Sequence, residues 1–132
     1  QTLVLRYPKF EAESYSRAAK GVRRERIGQT DTMTVTDIMH GRWIAFDKID
    51  LTGVGRLELG FLAKDSLLPG TEVEVRSGSE SGKLLGKAAI SNNTVKVNLQ
   101  ATKGVQNLVL VFKNEKARGQ GIGRVDWVGF GR

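Results

Sequence analysis

A two-residue alternation of apolar and polar side chains recurs in short runs along the chain, and it limits the fold more than any other feature. It is clearest in Thr71-Glu72-Val73-Glu74-Val75-Arg76, where the valines fall on one side and the glutamates and arginine largely on the other. That is the pattern of a half-buried strand. The same period runs through residues 33–38 and 56–61. Arg42-Trp43-Ile44-Ala45-Phe46, with residues 49–51 behind it, reads as a longer apolar strand with Trp43 in the core. Turn signals separate the runs: Gly53 and Gly55, Pro69-Gly70, and the Ser/Gly-rich stretch 77–82. Residues 2–6 and 9–13 give two opening strands, and 83–90, 94–99, 107–112 and 125–130 give four more. Residues 14–29 read as a long polar connection with one helical turn near 17–20, ending at Gly28. Roughly nine or ten short strands with closely spaced turns predict an all-β chain folded as an antiparallel β-sandwich.

At 132 residues the chain can bury a real core without staples, and no linker interrupts it, so residues 1–132 are expected to form one domain. It has no cysteine, which excludes thiolate catalysis and cysteine-based zinc sites and leaves the redox compartment open. No apolar run is long enough to span a membrane, and residues 2–5 are too few for a signal h-region. If the protein is exported, its signal lies outside these residues, as it would for a module excised from a longer polypeptide.

The net charge of +7 raises the question of an anionic partner. The charge is clustered: Arg17, Lys20, Arg23, Arg24 and Arg26 crowd one segment, and Lys113, Lys116, Arg118, Arg124 and Arg132 the C-terminal part. Neither cluster is interleaved with aromatic residues that could stack on bases, and no recognition-helix pattern accompanies them. They read as solvated loops, and nucleic acid is not the expected partner.

Phe10-Glu11-Ala12-Glu13-Ser14 places two carboxylates at strand period. Two like charges on one face repel unless a cation sits between them, and calcium, with its demand for six to eight oxygens, would satisfy both. Asp126, an acid inside the apolar run Val125-Asp126-Trp127-Val128-Gly129-Phe130, is the best third ligand. Such an ion would join the beginning of the chain to its end. A solvated edge strand accounts for the same residues, with Asp126 simply exposed. Other motifs carry less. Gly119-Gln120-Gly121-Ile122-Gly123 has no following helix and reads as a hairpin. Asn92-Asn93-Thr94 matches a glycosylation sequon, a pattern common by chance. His40 has no local ligand partners and reads as a loop or core histidine. No nucleophile elbow is present, and any pair of acids chosen as a glycosidase dyad would be arbitrary.

Phe10-Glu11-Ala12-Glu13-Ser14-Tyr15, Gly21-Val22 leading to Glu25, Gly41-Arg42-Trp43-Ile44-Ala45-Phe46, residues 71–76, Gly82 to Gly86, residues 108–112 and 125–130 occur in a telling order. In this the chain, from about Tyr7 to Phe130, resembles family 6 carbohydrate-binding modules and is similar to the related family 35. The resemblance implies a jelly-roll-like, non-catalytic sandwich, secreted or held at the cell envelope, bound to carbohydrate and attached to a catalytic domain in the parent polypeptide. It also implies a structural calcium near Glu11, Glu13 and Asp126. Glu25 matches the glutamate with which the family grips a sugar in a cleft between loops. The other positions depart from the pattern: Asp37 stands where an aromatic platform is usual, Arg124 where an asparagine is usual, and Arg42 where an acid is frequent. No aromatic lies between Lys113 and Gly123. A ligand held by Glu25, Asp37 and Arg124 would therefore be an acidic or highly polar glycan, gripped by charge-assisted hydrogen bonds. Two other functions fit the same residues. One is a structural or docking sandwich that has lost sugar binding; the other is a basic module whose Arg17 to Arg26 cluster binds polyanions.

Overall fold

The computed structural model describes residues 9–11, 15–20, 22–26, 33–38, 40–61, 70–90, 94–115 and 123–131; at 9–11, 23–26, 33–38, 123, 124 and 126 the description covers the backbone. Eleven strands run through them: β1 (Lys9–Glu11), β2 (Arg17–Ala18), β3 (Arg23–Arg26), β4 (Met33–Ile38), β5 (Trp43–Asp50), β6 (Arg56–Phe61), β7 (Glu72–Ser77), β8 (Lys83–Ala89), β9 (Thr94–Asn98), β10 (Val105–Lys113) and β11 (Gly123–Gly131). They build two antiparallel sheets. One has the order β3-β4-β11-β6-β9 with β1 also on β11, and the other the order β2-β5-β10-β7-β8. The result is a β-sandwich of jelly-roll type.

Between the sheets lies one core, and the alternation explains who enters it. Leu57, Leu59 and Phe61 of β6, Val73 and Val75 of β7, and Leu108, Leu110 and Phe112 of β10 are all buried there. Each such side chain contributes about 1.5–3 kcal/mol over leaving it in water. Phe61 and Phe112 meet edge to face across the two sheets, with centroids 6.4 Å apart at 86°. Along β11 both Val125 and Val128 face the core although they are three positions apart. A bulge between Val125 and Trp127 resets the register against β6, and Asp126 occupies it.

The sandwich closes on one side where β8 meets β9. A Cβ at Gly86 would collide with the carbonyl of Asn98, so glycine is what lets the two backbones approach. The Gln100 N–H donates to Leu85 O at 2.8 Å and ties the same corner. On the opposite side the expectation of a polar connection with a helical turn over 17–20 is corrected. Residues 17–18 and 23–26 are edge strands, pairing with β5 and β4. An edge strand needs no apolar alternation, and arginines there block pairing with another chain. The opening strand expected over 2–6, the sequon at Asn92 and the hairpin residues 119–122 lie outside the described residues.

Candidate functional site

The outward face of the five-stranded sheet carries a second apolar cluster with ion pairs beside it. The register sets Trp43, Val111 and Glu74 in one row across β5, β10 and β7, and Ala45, Val109 and Arg76 in the next. Ala45 and Val109 are fully buried although they point away from the main core, with Trp43 packed against them and Val111. Trp43 is therefore not in the core between the sheets, as its apolar strand suggested. It belongs to a separate cluster on the outer face, and it is only partly buried. The apolar run Leu108-Val109-Leu110-Val111-Phe112 gives the sequence signal for that outer floor, because a strand with apolar residues on both faces is covered on both.

Glu74 stands beside this floor. Its Oε1 accepts from Arg76 Nε at 3.0 Å and Nη2 at 2.8 Å, and Lys113 Nζ lies 3.4 Å away. Arg76 Nη1 in turn donates to Gly82 O at 2.8 Å, which fixes the guanidinium between strand and hairpin. Burial is the largest single influence on Glu74 and pushes its pKa up. The hydrogen bond and charge of Arg76, with Lys113 behind, outweigh it and hold the carboxyl below its ordinary value. Glu74 stays ionised, with Oε2 receiving no donor from the described residues. At the other margin Arg17, opposite Ala45, grips Asp47 through Nε at 3.1 Å and Nη2 at 2.8 Å to Oδ1. The arrangement is an indole and an aliphatic floor about 10 Å across, bounded by two arginine-carboxylate pairs. Ala45, Val109 and Val111 are covered, so the contact left for a flat ring face is the exposed part of the Trp43 indole.

The residues expected from sequence fall elsewhere. Asp37 on β4 and Arg124 on β11 come to neighbouring register positions, because Gly123 pairs with Ile38 and Val125 with Val35, and Arg124 sits in the bulge between. Glu25 on β3 pairs with Thr34, three residues and about 10 Å along β4 from Asp37. Glu11 on β1 pairs with Trp127, next in sequence to Asp126. The side chains of these five residues, and all of Glu13, lie outside the described residues. Among the described residues no group of three or more histidines or acids could hold a metal ion. The His40 Nδ1 accepts the Asn114 N–H at 2.9 Å, which gives it a loop-fastening role. A cavity of about 380 Å³ opens between residues 52–55 and 99–103, at the far end of the sandwich from Arg124. Its hydroxyls are engaged, Thr52 Oγ1 by Gly104 N–H and Thr102 Oγ1 on Gln100 O, and it offers no aromatic face.

The model for the family described as carbohydrate binding module (family 6) matches residues 11–132. The chain belongs to carbohydrate-binding module family 6. Members of this family are non-catalytic, and the module is accordingly not an enzyme. Among solved structures it is similar to a β-1,3-glucan-binding family 6 module from Bacillus halodurans, at 25% identity over 97% of this chain and 99% of that one, with a TM-score of 0.80. It is also similar to part of a family 43 arabinoxylan arabinofuranohydrolase from Bacillus subtilis solved with cellotetraose. That match has 22% identity over 96% of this chain and 27% of that one, with a TM-score of 0.79. A family 36 module solved with calcium and xylotriose shares the fold at 16% identity, over 93% of this chain and 98% of that one, with a TM-score of 0.62. No curated protein matches the chain by sequence.

Proposed function

We propose that this family 6 module holds a polysaccharide on the Trp43 face and so tethers an attached catalytic domain to its substrate. The observation that carries the reading is the half-buried indole over Ala45, Val109 and Val111, with ionised Glu74 beside it. The carboxylates Glu74 and Asp47 are each engaged by an arginine, with Lys113 also against Glu74, so the contact left for a ring is the indole. The β-1,3-glucan ligand of the Bacillus halodurans module makes β-glucans the first class to test. The enzyme within which the Bacillus subtilis match lies supports the tethering role. On this reading the module works outside the cell or in its envelope.

A second binding position at Glu25, Asp37 and Arg124 is favoured by the bulge that brings Arg124 beside Asp37. With two charged residues in place of apolar contact, it would take an acidic or highly polar sugar unit. Calcium belongs to the same proposal. The pairing of β1 with β11 brings Glu11 and the Asp126 bulge onto neighbouring strands, which fits a shared oxygen-ligand site completed by Glu13. Bound there, the ion would stabilise the junction between the chain's first and last strands. Affinity electrophoresis against β-glucans, xylan and polygalacturonate, with Trp43→Ala and Arg124→Ala beside the wild type, tests the assignment. Retention lost in Trp43→Ala supports the outer face; retention by neither glycan class overturns the glycan-binding reading in favour of a structural sandwich.

A further inference from the structure

Among the described residues, a left-handed backbone falls on glycine with one exception. Gly41, Gly53, Gly70, Gly78 and Gly104 have φ between 80° and 97°, and Lys48 has φ 59°. A Cβ is disfavoured there, and glycine would hold the same conformation without strain. Lys48 sits in a bulge of β5. Phe46 pairs with Leu108 and Ile49 with Gln106, so Asp47 and Lys48 together stand opposite Asn107. The Lys48 N–H donates to Asn107 Oδ1 at 3.1 Å, which holds the bulge. A lysine where glycine would be easier points to a use for its side chain.

The bulge opens on the Trp43 face. Phe46, Ile49 and Leu108 turn toward the main core, which leaves Asn107 and the bulge on the outer side, and Lys48 and Asn107 are both exposed. Because the backbone N–H of Lys48 needs the amide oxygen, Asn107 presents its Nδ2 outward, with two donors that no described residue takes. No described carboxylate comes within 4.0 Å of Lys48 Nζ. Asp47 is occupied by Arg17, and Asp50 Oδ1 by the Thr52 N–H. Two residues beyond Asn107, on the same side of β10, Val105 stands opposite Asp50 with 50% of its surface exposed, the one large apolar residue so exposed among the described residues. From Val111, beside Trp43, to Val105 is about 20 Å of strand.

We infer that Lys48, Asn107 and Val105 form a distal subsite of the Trp43 face, so that the module takes an uncharged glycan chain laid along β5 and β10 and gains affinity with chain length. The inference rests on the reading of Trp43 as a sugar platform. Ala45 and Val109 between the two ends are covered, so the contacts are made at the ends. The indole meets one ring, while Lys48 Nζ and Asn107 Nδ2 donate to the oxygens of a later one and Val105 meets its apolar face. A disaccharide on Trp43 is too short to reach them across about 20 Å. Charge does not select the ligand here. Arg17, Lys48 and Lys103 stand against Asp47, Asp50 and Glu80 around this end, and the charge of Glu80 reaches Arg17, so a polyanion gains no net attraction.

The test titrates the whole module with a β-1,3-glucan disaccharide and hexasaccharide, beside Lys48→Gly, Asn107→Asp and, as a control on the other sheet, Lys96→Gln. Lys48→Gly relieves the backbone and should melt close to the wild type or above it, so a loss of affinity there is not a loss of fold. Asn107→Asp keeps the oxygen that Lys48 N–H needs and removes both donors. The wild type is expected to bind the hexasaccharide about twentyfold tighter than the disaccharide, more than the repeated registers of a longer chain supply by themselves. Lys48→Gly and Asn107→Asp should each lose about tenfold of the hexasaccharide affinity, Lys96→Gln none, and added salt should change little. Equal affinity for the two lengths in the wild type, or a length gain undiminished in Lys48→Gly or Asn107→Asp, overturns the inference and leaves the Trp43 reading standing. Binding of neither length removes the Trp43 reading and the inference with it.

Discussion

Replacing Arg76 with methionine keeps most of the side chain's apolar stem and removes both of the arginine's hydrogen bonds to Glu74. The wild type spends three donors there: two on Glu74 Oε1 and one on Gly82 O. Breaking a buried ion pair from one side costs about 3–5 kcal/mol, because the remaining charge is left without its partner. The two side chains keep 20% and 11% of their exposure, and Lys113 remains 3.4 Å from the carboxylate, so about 2–3 kcal/mol is the expected loss at neutral pH. For a domain of this size that lowers the melting temperature by roughly 8–12 °C. The loss must depend on pH. Glu74 has its folded pKa depressed, so its stabilisation is present above the unfolded carboxyl value and fades as pH falls through the folded one. In the variant, burial is left as the dominant influence and the folded pKa rises, so protonation relieves it. Wild type and Arg76→Met should therefore converge in stability on acidification below about pH 4. Urea melts at neutral and acid pH, with Glu74→Gln and the double variant completing the cycle, measure this directly. A neutral-pH loss below about 0.5 kcal/mol, or a gap that does not close in acid, would refute the account of the pair.

Phe112→Ala should cost about 3–5 kcal/mol by chemical denaturation, since it empties the centre of the core and removes the contact with Phe61. Gly60→Ala puts a methyl where the Trp127 indole lies on the strand, and should cost about 1–3 kcal/mol in the same assay with a shift in tryptophan fluorescence. Calcium at a hundredfold excess over its dissociation constant should stabilise the module by about 2.7 kcal/mol, a gain that chelation reverses and Glu13→Ala abolishes in thermal melts.

Much of the fold was legible in the sequence because one buried face forces alternation. β6 and β4 run over the residues whose pattern announced them, and Val73 and Val75 enter the core as their spacing requires. β2 and β3 were not legible, because edge strands rich in arginine need no apolar period and their pairing is decided by β5 and β4. Trp43 shows a different limit. Alternation separates two faces but does not say which is inside, and Arg42-Trp43-Ile44-Ala45-Phe46 is apolar on both. Ile44 and Phe46 took the core, leaving Trp43 and Ala45 to the outer floor. The pairing of Glu74 with Arg76 two residues on was implied by their shared strand face. What no local pattern revealed was that Val111 and Lys113, from a strand more than thirty residues later, would bury and neutralise that glutamate.

Calorimetric titration of wild type and Trp43→Ala with a soluble β-glucan oligosaccharide tests the central claim most directly. The account predicts measurable binding to the wild type and a loss of about 1.4 kcal/mol or more, tenfold in affinity, for Trp43→Ala, measured at a temperature where both proteins are folded. Equal affinity for the two proteins would contradict it and move the binding site off the outer face of the five-stranded sheet.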